Sequence, residues 1–355
     1  MKNEIIYCEF CNCEINEDDE YFLVDGCVCC ERCYEDDCFV CDGCGEYFHR
    51  SQLQYFSGIG DLCENCSQDV YRCERCGNFT WDDNVYWLNE SPYCYDCYCE
   101  IKDNGIYEYS FKPSPIFHGD GFATFGIELE VDNGNFDVIP YLLDISNNEN
   151  LFYLKRDGSL NDGFEIVTHP CSLYYHLNYF PWYNILSLLK EYNFVSHDSG
   201  TCGLHVHVSR KFFGRNIDKQ DLNIAKLILF VEKNFEKIRR FSRRTWSQIE
   251  QWAQRYNISR LSDAEKITKD CDIGRYYAIN LSNRYTIELR IFRGTLLERT
   301  FFATLQFTWL LCLYAKTRID INNLEKTLNW QNFINFTKTF NFRCLNEYLR
   351  IRGLM

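Results

Sequence analysis

Four segments in the last two thirds of the chain carry charged or imidazole side chains where buried strands would carry apolar ones. In residues 122–132 (FATFGIELEVD), Ile127, Leu129 and Val131 alternate with Glu128 and Glu130. Strand residues i and i+2 share a face about 7 Å apart, so the two carboxylates project together, as ligands of adjacent divalent cations do. A half-exposed strand with surface glutamates shows the same alternation. In residues 201–210 (TCGLHVHVSR), His205 and His207 share one face and Val206 and Val208 the other, in a chain with only 7 histidines. The alternative is one core and one surface histidine. In residues 155–170 (KRDGSLNDGFEIVTHP), D-G and N-D-G turn signals precede a strand over 164–168 whose polar member is Glu165; a hairpin with surface charge reads the same way. In residues 283–295 (NRYTIELRIFRGT), Ile287, Leu289 and Ile291 alternate with Glu288 and Arg290, and Arg293 follows. A carboxylate and a guanidinium on one face form an ion pair, or hold a metal and a phosphate, since Arg binds phosphate oxygens bidentately.

A second chemistry occupies the first hundred residues. Of 22 cysteines, 17 lie before residue 100. They fall in C-x2-C pairs: Cys8 and Cys11 with Cys30 and Cys33, Cys41 and Cys44 with Cys63 and Cys66, Cys73 and Cys76 with Cys94 and Cys97. The spacers are 18, 18 and 17 residues and the period is 33 and then 32, which marks repeated units spanning 8–33, 41–66 and 73–97. Four thiolates so spaced make a tetrahedral zinc site, favoured over disulfides or an iron–sulfur cluster in a reducing compartment. Structural zinc contributes about 10–16 kcal/mol to folding, enough for so small a unit. Closed four-cysteine sites leave no open catalytic position. Cys13, Cys27, Cys29, Cys38, Cys99 and His49 are alternates, and an interleaved pairing remains open. Eight residues before each second pair stands an aromatic residue, Phe22, Tyr55 or Tyr86, followed by Leu23, Phe56 or Trp87; each unit is expected to plug a hairpin with this pair.

Charge divides where the cysteines do: −18 over residues 1–100 and +4 over the rest, within a total of −14. This split implies two regions, and the second is long enough for a true core. An acidic cysteine-rich region suits protein binding, with a basic partner preferred. The acidic balance argues against nonspecific nucleic-acid binding. The N-terminus lacks an apolar signal core. The apolar run 305–315, broken by Gln306 and Thr308, is short of the about 20 residues a membrane helix needs. A soluble, cytoplasmic protein without membrane association is expected.

The elements that must position these residues follow. Three zinc units occupy 1–99. Residues 100–121, with Pro113, Pro115 and three glycines, read as an extended linker. The next domain, 122–320, begins with a strand near Phe122, and 321–355 supply helices packed on it. Helices are expected over 184–192, 218–240, 299–316 and 324–340. The class is α+β: a mostly antiparallel sheet with helices on one face, the polar residues gathering on the open face.

Taken in order, FGIELEV at 125–131, DGSL at 157–160, GFEIVTHP at 163–170, GLHVHVS at 203–209 and TIELRIFRGT at 286–295 resemble the amidoligase family. SFKPSPIF at 110–117 and FSRR at 241–244 add to the likeness. That family belongs with the glutamine synthetase and γ-glutamylcysteine ligase superfamily of carboxylate–amine ligases. The resemblance covers roughly residues 110–315 and excludes the zinc units, which are LIM-like or zinc-ribbon-like in general style. It implies a curved antiparallel sheet whose concave face holds ATP and Mg²⁺ or Mn²⁺. By resemblance Glu128, Glu130, Glu165 and Glu288 are metal ligands, His205 or His207 contacts metal or phosphate, and Arg290 and Arg293 hold phosphates. The implied reaction activates a substrate carboxylate as an acyl phosphate, which an amine then converts to an amide. Asp157 is a candidate base. Hard oxygen donors from several strands agree with such cations. No Gly-rich phosphate loop occurs, so metals and arginines would bind the phosphates.

Two rival readings stand beside the ligase. One is a zinc-module adaptor whose ligase fold binds nucleotide without turnover. The other is a metallohydrolase built on His205 and His207, opposed by the lack of H-E-x-x-H and the surplus of glutamates.

Overall fold

The computed structural model describes residues 6–16, 19–88, 91–98, 105–121, 123–270 and 274–355. The chain divides into two compact units, Met1–Asp103 with Ser110–Lys112, and Asn104–Tyr109 with Pro113–Met355. The helices after residue 320 belong to the second unit and share its core through Trp330, Phe333, Leu345 and Leu349.

The first unit is a chain of two-stranded hairpins. Ile6–Tyr7 pairs Glu14–Ile15, Cys38–Val40 pairs Tyr47–His49, and Val70–Arg72 pairs Phe79–Trp81. A second hairpin follows each: Tyr21–Val24 with Cys27–Cys30, Gln54–Phe56 with Gly60–Leu62, and Val85–Leu88 with Ser91–Cys94. The cores here are small and built partly of the cysteines themselves. The paired aromatic plug divides by strand alternation, because neighbouring residues point to opposite faces. Phe22 stacks on Tyr34 at 4.0 Å while Leu23 is exposed; Phe56 meets Phe79 at 5.1 Å while Tyr55 is exposed. In the third repeat both residues find rings, Tyr86 on Tyr98 and Trp87 on Tyr71.

The second unit is mixed α/β around one eight-stranded sheet. Its strands are β1 (Ile106–Tyr107), β2 (Thr124–Asp132), β3 (Phe152–Lys155), β4 (Gly163–Thr168), β5 (Cys171–Ser172), β6 (Leu204–Ser209), β7 (Ile279–Asn280) and β8 (Thr286–Leu289). The order is β1-β3-β4-β2-β6-β8-β7, with β5 also on β2. Every pair is antiparallel except β1 with β3. Residues 106–107, expected in an irregular linker, thus form an edge strand. Residues 100–104 of that linker, and Phe122, lie outside the described residues.

One face of the sheet is apolar. Ile127, Leu129, Ile166, Leu204, Val206, Ile287 and Leu289 are almost completely buried, in one core with Trp182, Ile185, Ile228 and Phe301 of the helices. Each such side chain contributes about 1.5–3 kcal/mol by leaving water. Helix Glu298–Thr317 is buried along most of its length, as a helix hydrophobic all round must be.

Two long helices expected from the sequence are each broken by an asparagine. The run 218–240 is Ile217–Lys233 and Phe235–Ser242. At the break, Asn234 donates from Nδ2 to the carbonyls of Phe230 and Leu328, 2.9 Å each. The run 324–340 is Leu324–Thr327 and Trp330–Thr337. Here Asn329 caps the second helix by accepting from the N–H groups of Gln331 and Asn332. Apolar periodicity runs through such a break, so it conceals it.

Candidate functional site

Strand register assembles the polar face. One row across the sheet reads Lys155, Glu165, Glu130; the next Tyr153, Val167, Glu128, His205; the next Gly126, His207, Glu288, Asn280. All of the expected glutamates and both histidines therefore share one surface. A slip of one residue in any strand would send its members to the apolar core.

Two ligand groups result. Glu128, His205 and Glu288 offer donor atoms within 4.8 Å of one another, and so do Glu130, Asp157 and Glu165. His205 Nδ1 stands 3.2 Å from Glu128, 3.4 Å from Glu288 and 3.6 Å from Glu130. Glu288 is held further by Arg290 Nη1 at 2.6 Å and Asn280 Nδ2 at 2.8 Å. Glu130 accepts from the N–H of Gly203 at 2.5 Å. Lys155 lies 3.1 Å from Glu165. Asp157, considered as a base at the edge of the site, stands with the second carboxylate group and accepts from both the N–H and the hydroxyl of Ser159. Carboxylate groups of this kind fit hard divalent cations, and the imidazole in the first extends the fit to Mn²⁺.

Burial and charge set the carboxylates of this face apart: two are raised, and one is held low by the histidines. Burial, then Glu128 and Glu130, drive the Glu165 carboxyl well above the usual range against the pull of Lys155. Burial also raises Glu130, opposed by His205 and the Gly203 N–H. Burial pushes Glu128 up too, but His207 and His205 outweigh it and hold it well below the usual range. Burial opposes charge on His207, yet Glu128 and Glu288 prevail and raise it to about 9. His207 Nε2 lies 3.0 Å from Glu128 but is not aligned as a hydrogen bond.

Arginines flank the carboxylates. Arg244, noted in the sequence only as part of FSRR, is buried and donates to the carbonyls of Ile291, Phe292 and Arg290. It props the segment that carries Arg290 and Arg293. Burial lowers its pKa to about 10. Buried nitrogens of Arg244 (Nη1), Arg290 (Nε) and Arg293 (Nε) have no protein partner among the described residues. Unpaired buried donors on cations suit an anion. Arg293 lies on the same segment, where its backbone bridges that of Gly203, its carbonyl accepts from Arg243, and its N–H donates to the carbonyl of Ser242. Asp132, also missed in the sequence, is fully buried and accepts from the N–H groups of Asn161 and Asp162, fixing the turn that follows Asp157. The only sequence signal for it was its place at the end of an alternating strand.

A cavity of about 600 Å³ opens beside these groups. Glu128, His207 and Gly126 border it; Pro113, Phe117, Tyr153 and Tyr285 form apolar walls, and Arg210, Lys211 and Arg284 add positive charge.

In the first unit, three four-thiol groups lie within 4.8 Å: Cys8, Cys11, Cys13, Cys30; Cys41, Cys44, Cys63, Cys66; and Cys73, Cys76, Cys94, Cys97. The pairing is sequential, and the groups fit tetrahedral zinc. Burial disfavours thiolate on the leading cysteines, but N–H donors outweigh it, bringing Cys8 and Cys41 to about 6 and Cys73 to about 7. The first group differs from expectation by including Cys13; Cys33 also contacts Cys11, Cys30 and Cys8. Cys38 contacts Cys29, outside the four-thiol groups, as is Cys27. His49 stacks on Phe10 and bonds Ser51 instead of joining a thiol group. Cys99 lies outside the described residues.

No protein-family model matches the chain, and no curated protein matches it. Among the described residues no helix is long and apolar enough to cross a membrane.

Proposed function

We propose that the second unit is an ATP-dependent carboxylate–amine ligase of the amidoligase type, with a glutamine synthetase-like core, joining a peptide, protein or cell-wall carboxylate to an amine. The observation that carries this reading is the convergence of two ligand groups on one sheet face, flanked by three arginines that each have a buried nitrogen without a protein partner among the described residues. A hydrolase built on two histidines would not need such a surplus of carboxylates and guanidinium groups.

Glu128, His205 and Glu288 would hold one Mg²⁺ or Mn²⁺, and Glu130, Asp157 and Glu165 another. When bound, such ions neutralise phosphate oxygens and favour transfer to a carboxylate. The chain's own residues do the rest. Arg290 and Arg293 bind phosphate oxygens. Arg244 keeps them in place through the carbonyls it ties. The Gly203 N–H and Asn280 fix the carboxylates of Glu130 and Glu288 in orientation. The cavity, with its apolar walls and basic residues, receives the nucleotide or the carboxylate substrate and excludes water. The zinc units recruit the protein partner, and their acidic surface prefers a basic one.

The test is incubation with ATP, Mg²⁺, candidate carboxylates and hydroxylamine, reading hydroxamate and ADP. Glu128→Gln and Arg290→Ala should lower product at least about 100-fold, as losing transition-state charge stabilisation does. Product that survives both substitutions sinks this site. Nucleotide binding with no hydroxamate favours an adaptor, and hydrolysis without ATP favours a metallohydrolase.

A further inference from the structure

The three zinc repeats share a knuckle. In each, the leading cysteine carbonyl accepts from the residue four positions on: Cys8 from Asn12, Cys41 from Gly45, Cys73 from Gly77. Each leading N–H donates to the carbonyl five positions on: Cys13, Glu46 or Asn78. The fourth position has positive φ in all three, 63° at Asn12 and 74° at Gly45 and Gly77. Asparagine is among the few non-glycine residues that adopt this conformation readily.

The repeats therefore differ at one chemically decisive place. The knuckle's return position is a thiol in the first repeat and a carboxylate or amide in the others. The Cys13 Sγ lies 3.3 Å from that of Cys11, and Cys11 lies 3.7 Å from Cys30. Cys33 stands at the repeat position of Cys66 and Cys97, inside the helix Glu31–Asp37 that follows the second hairpin. Its thiol contacts Cys11, Cys30 and Cys8. Five thiols thus surround a site for a tetrahedral ion that takes four. Cys13 is exposed and Cys33 is buried.

We propose that the first repeat holds its zinc with an exchangeable fourth ligand: Cys8, Cys11 and Cys30 are constant, and Cys13 and Cys33 take the remaining place in turn. In the exchange the Zn–S bond to Cys33 breaks as that to Cys13 forms. The proton on the Cys13 thiol passes to the released Cys33 thiolate, so charge and atoms balance. The repeat always keeps one free thiol beside its metal, and that thiol reaches solvent when Cys33 is the ligand. Among the described residues, the second and third repeats have no fifth thiol in their groups. This inference rests on the zinc reading of the first unit.

The experiment measures zinc per full-length chain by native mass spectrometry and elemental analysis. Wild type should hold three ions. Cys13→Ala and Cys33→Ala should each still hold three, and the double variant two. Cys66→Ala and Cys97→Ala should each hold two. Brief alkylation of zinc-loaded wild type should modify Cys13 without releasing zinc. Loss of one ion in either single variant of the first repeat, or Cys13 protected from alkylation, overturns the exchange. Fewer than three ions in wild type overturns the zinc reading itself.

Discussion

Glu130 and Glu165 face each other directly across β2 and β4, 4% and 3% exposed, with Lys155 as the neighbouring cation beyond Glu165. Two buried carboxylates in register repel one another, and one lysine does not offset the burial of both. The pair is therefore a source of instability that a cation bound between them would remove.

The pH sign follows. A carboxyl whose folded pKa is raised stabilises the fold below its unfolded pKa, and that stability is lost as pH rises through the folded value. Without divalent cation, the stability of wild type relative to Glu165→Gln should fall as pH rises from 5 to 8. The substitution also carries a pH-independent cost, because it leaves buried Lys155 without this partner. Denaturant unfolding across this range is the measurement, and a pH-independent difference refutes the argument.

Mn²⁺ or Mg²⁺ should raise the melting temperature of wild type more than that of Glu165→Gln, and more at pH 8 than at pH 5.5. Binding to the folded state alone stabilises by mass action, and protons compete for the same carboxylates. Scanning calorimetry with and without cation reads this directly.

His207 and Glu128 attract each other, whereas Glu130 and Glu165 repel. The raised His207 stabilises fully below its unfolded pKa, and the contribution is lost as pH rises through about 9. Glu128, held low, contributes above its unfolded pKa and loses this as pH falls. His207→Gln should therefore cost most near pH 6, about 3 kcal/mol or less for a partly exposed pair. The cost should fade above pH 9 in the same unfolding series.

Gly203 has no room for a side chain. A Cβ there would lie 2.4 Å from His205 Nε2 and 3.0 Å from Arg244 Nη2. Gly203→Ala should displace the imidazole and weaken Mn²⁺ binding about 10–100-fold, measured by titration calorimetry. Unchanged affinity would remove His205 from the ligand set.

Strand alternation made most of the polar face legible, because period two alone puts Glu128 with Glu130 and His205 with His207. What it could not show was which residue of one strand meets which of the next. The Glu128–His205 and His207–Glu288 pairs depend on register, and register comes from the whole packed face. Asp157 sits on a turn with no period, so only Asp132 and the folded loop bring it to the carboxylates. Arg244 acts on backbone carbonyls, which carry no residue-type signal. Cys13 broke the C-x2-C rhythm and read as a spare, although the knuckle's hydrogen bonds place its thiol beside Cys11. The asparagine breaks in two helices were hidden for the reason that apolar spacing continues through them.

Gly126 stands opposite His207 at the border of the cavity. A Cβ added there would meet His207 Cβ at 3.6 Å and the Thr168 carbonyl at 3.9 Å, both ordinary contacts. The fold would accept alanine, while whatever fills the cavity would lose that volume. This position is thus a handle for engineering selectivity: a small protrusion at 126, matched by a trimmed ligand, would give a version of the protein that answers to an analogue and ignores the natural compound.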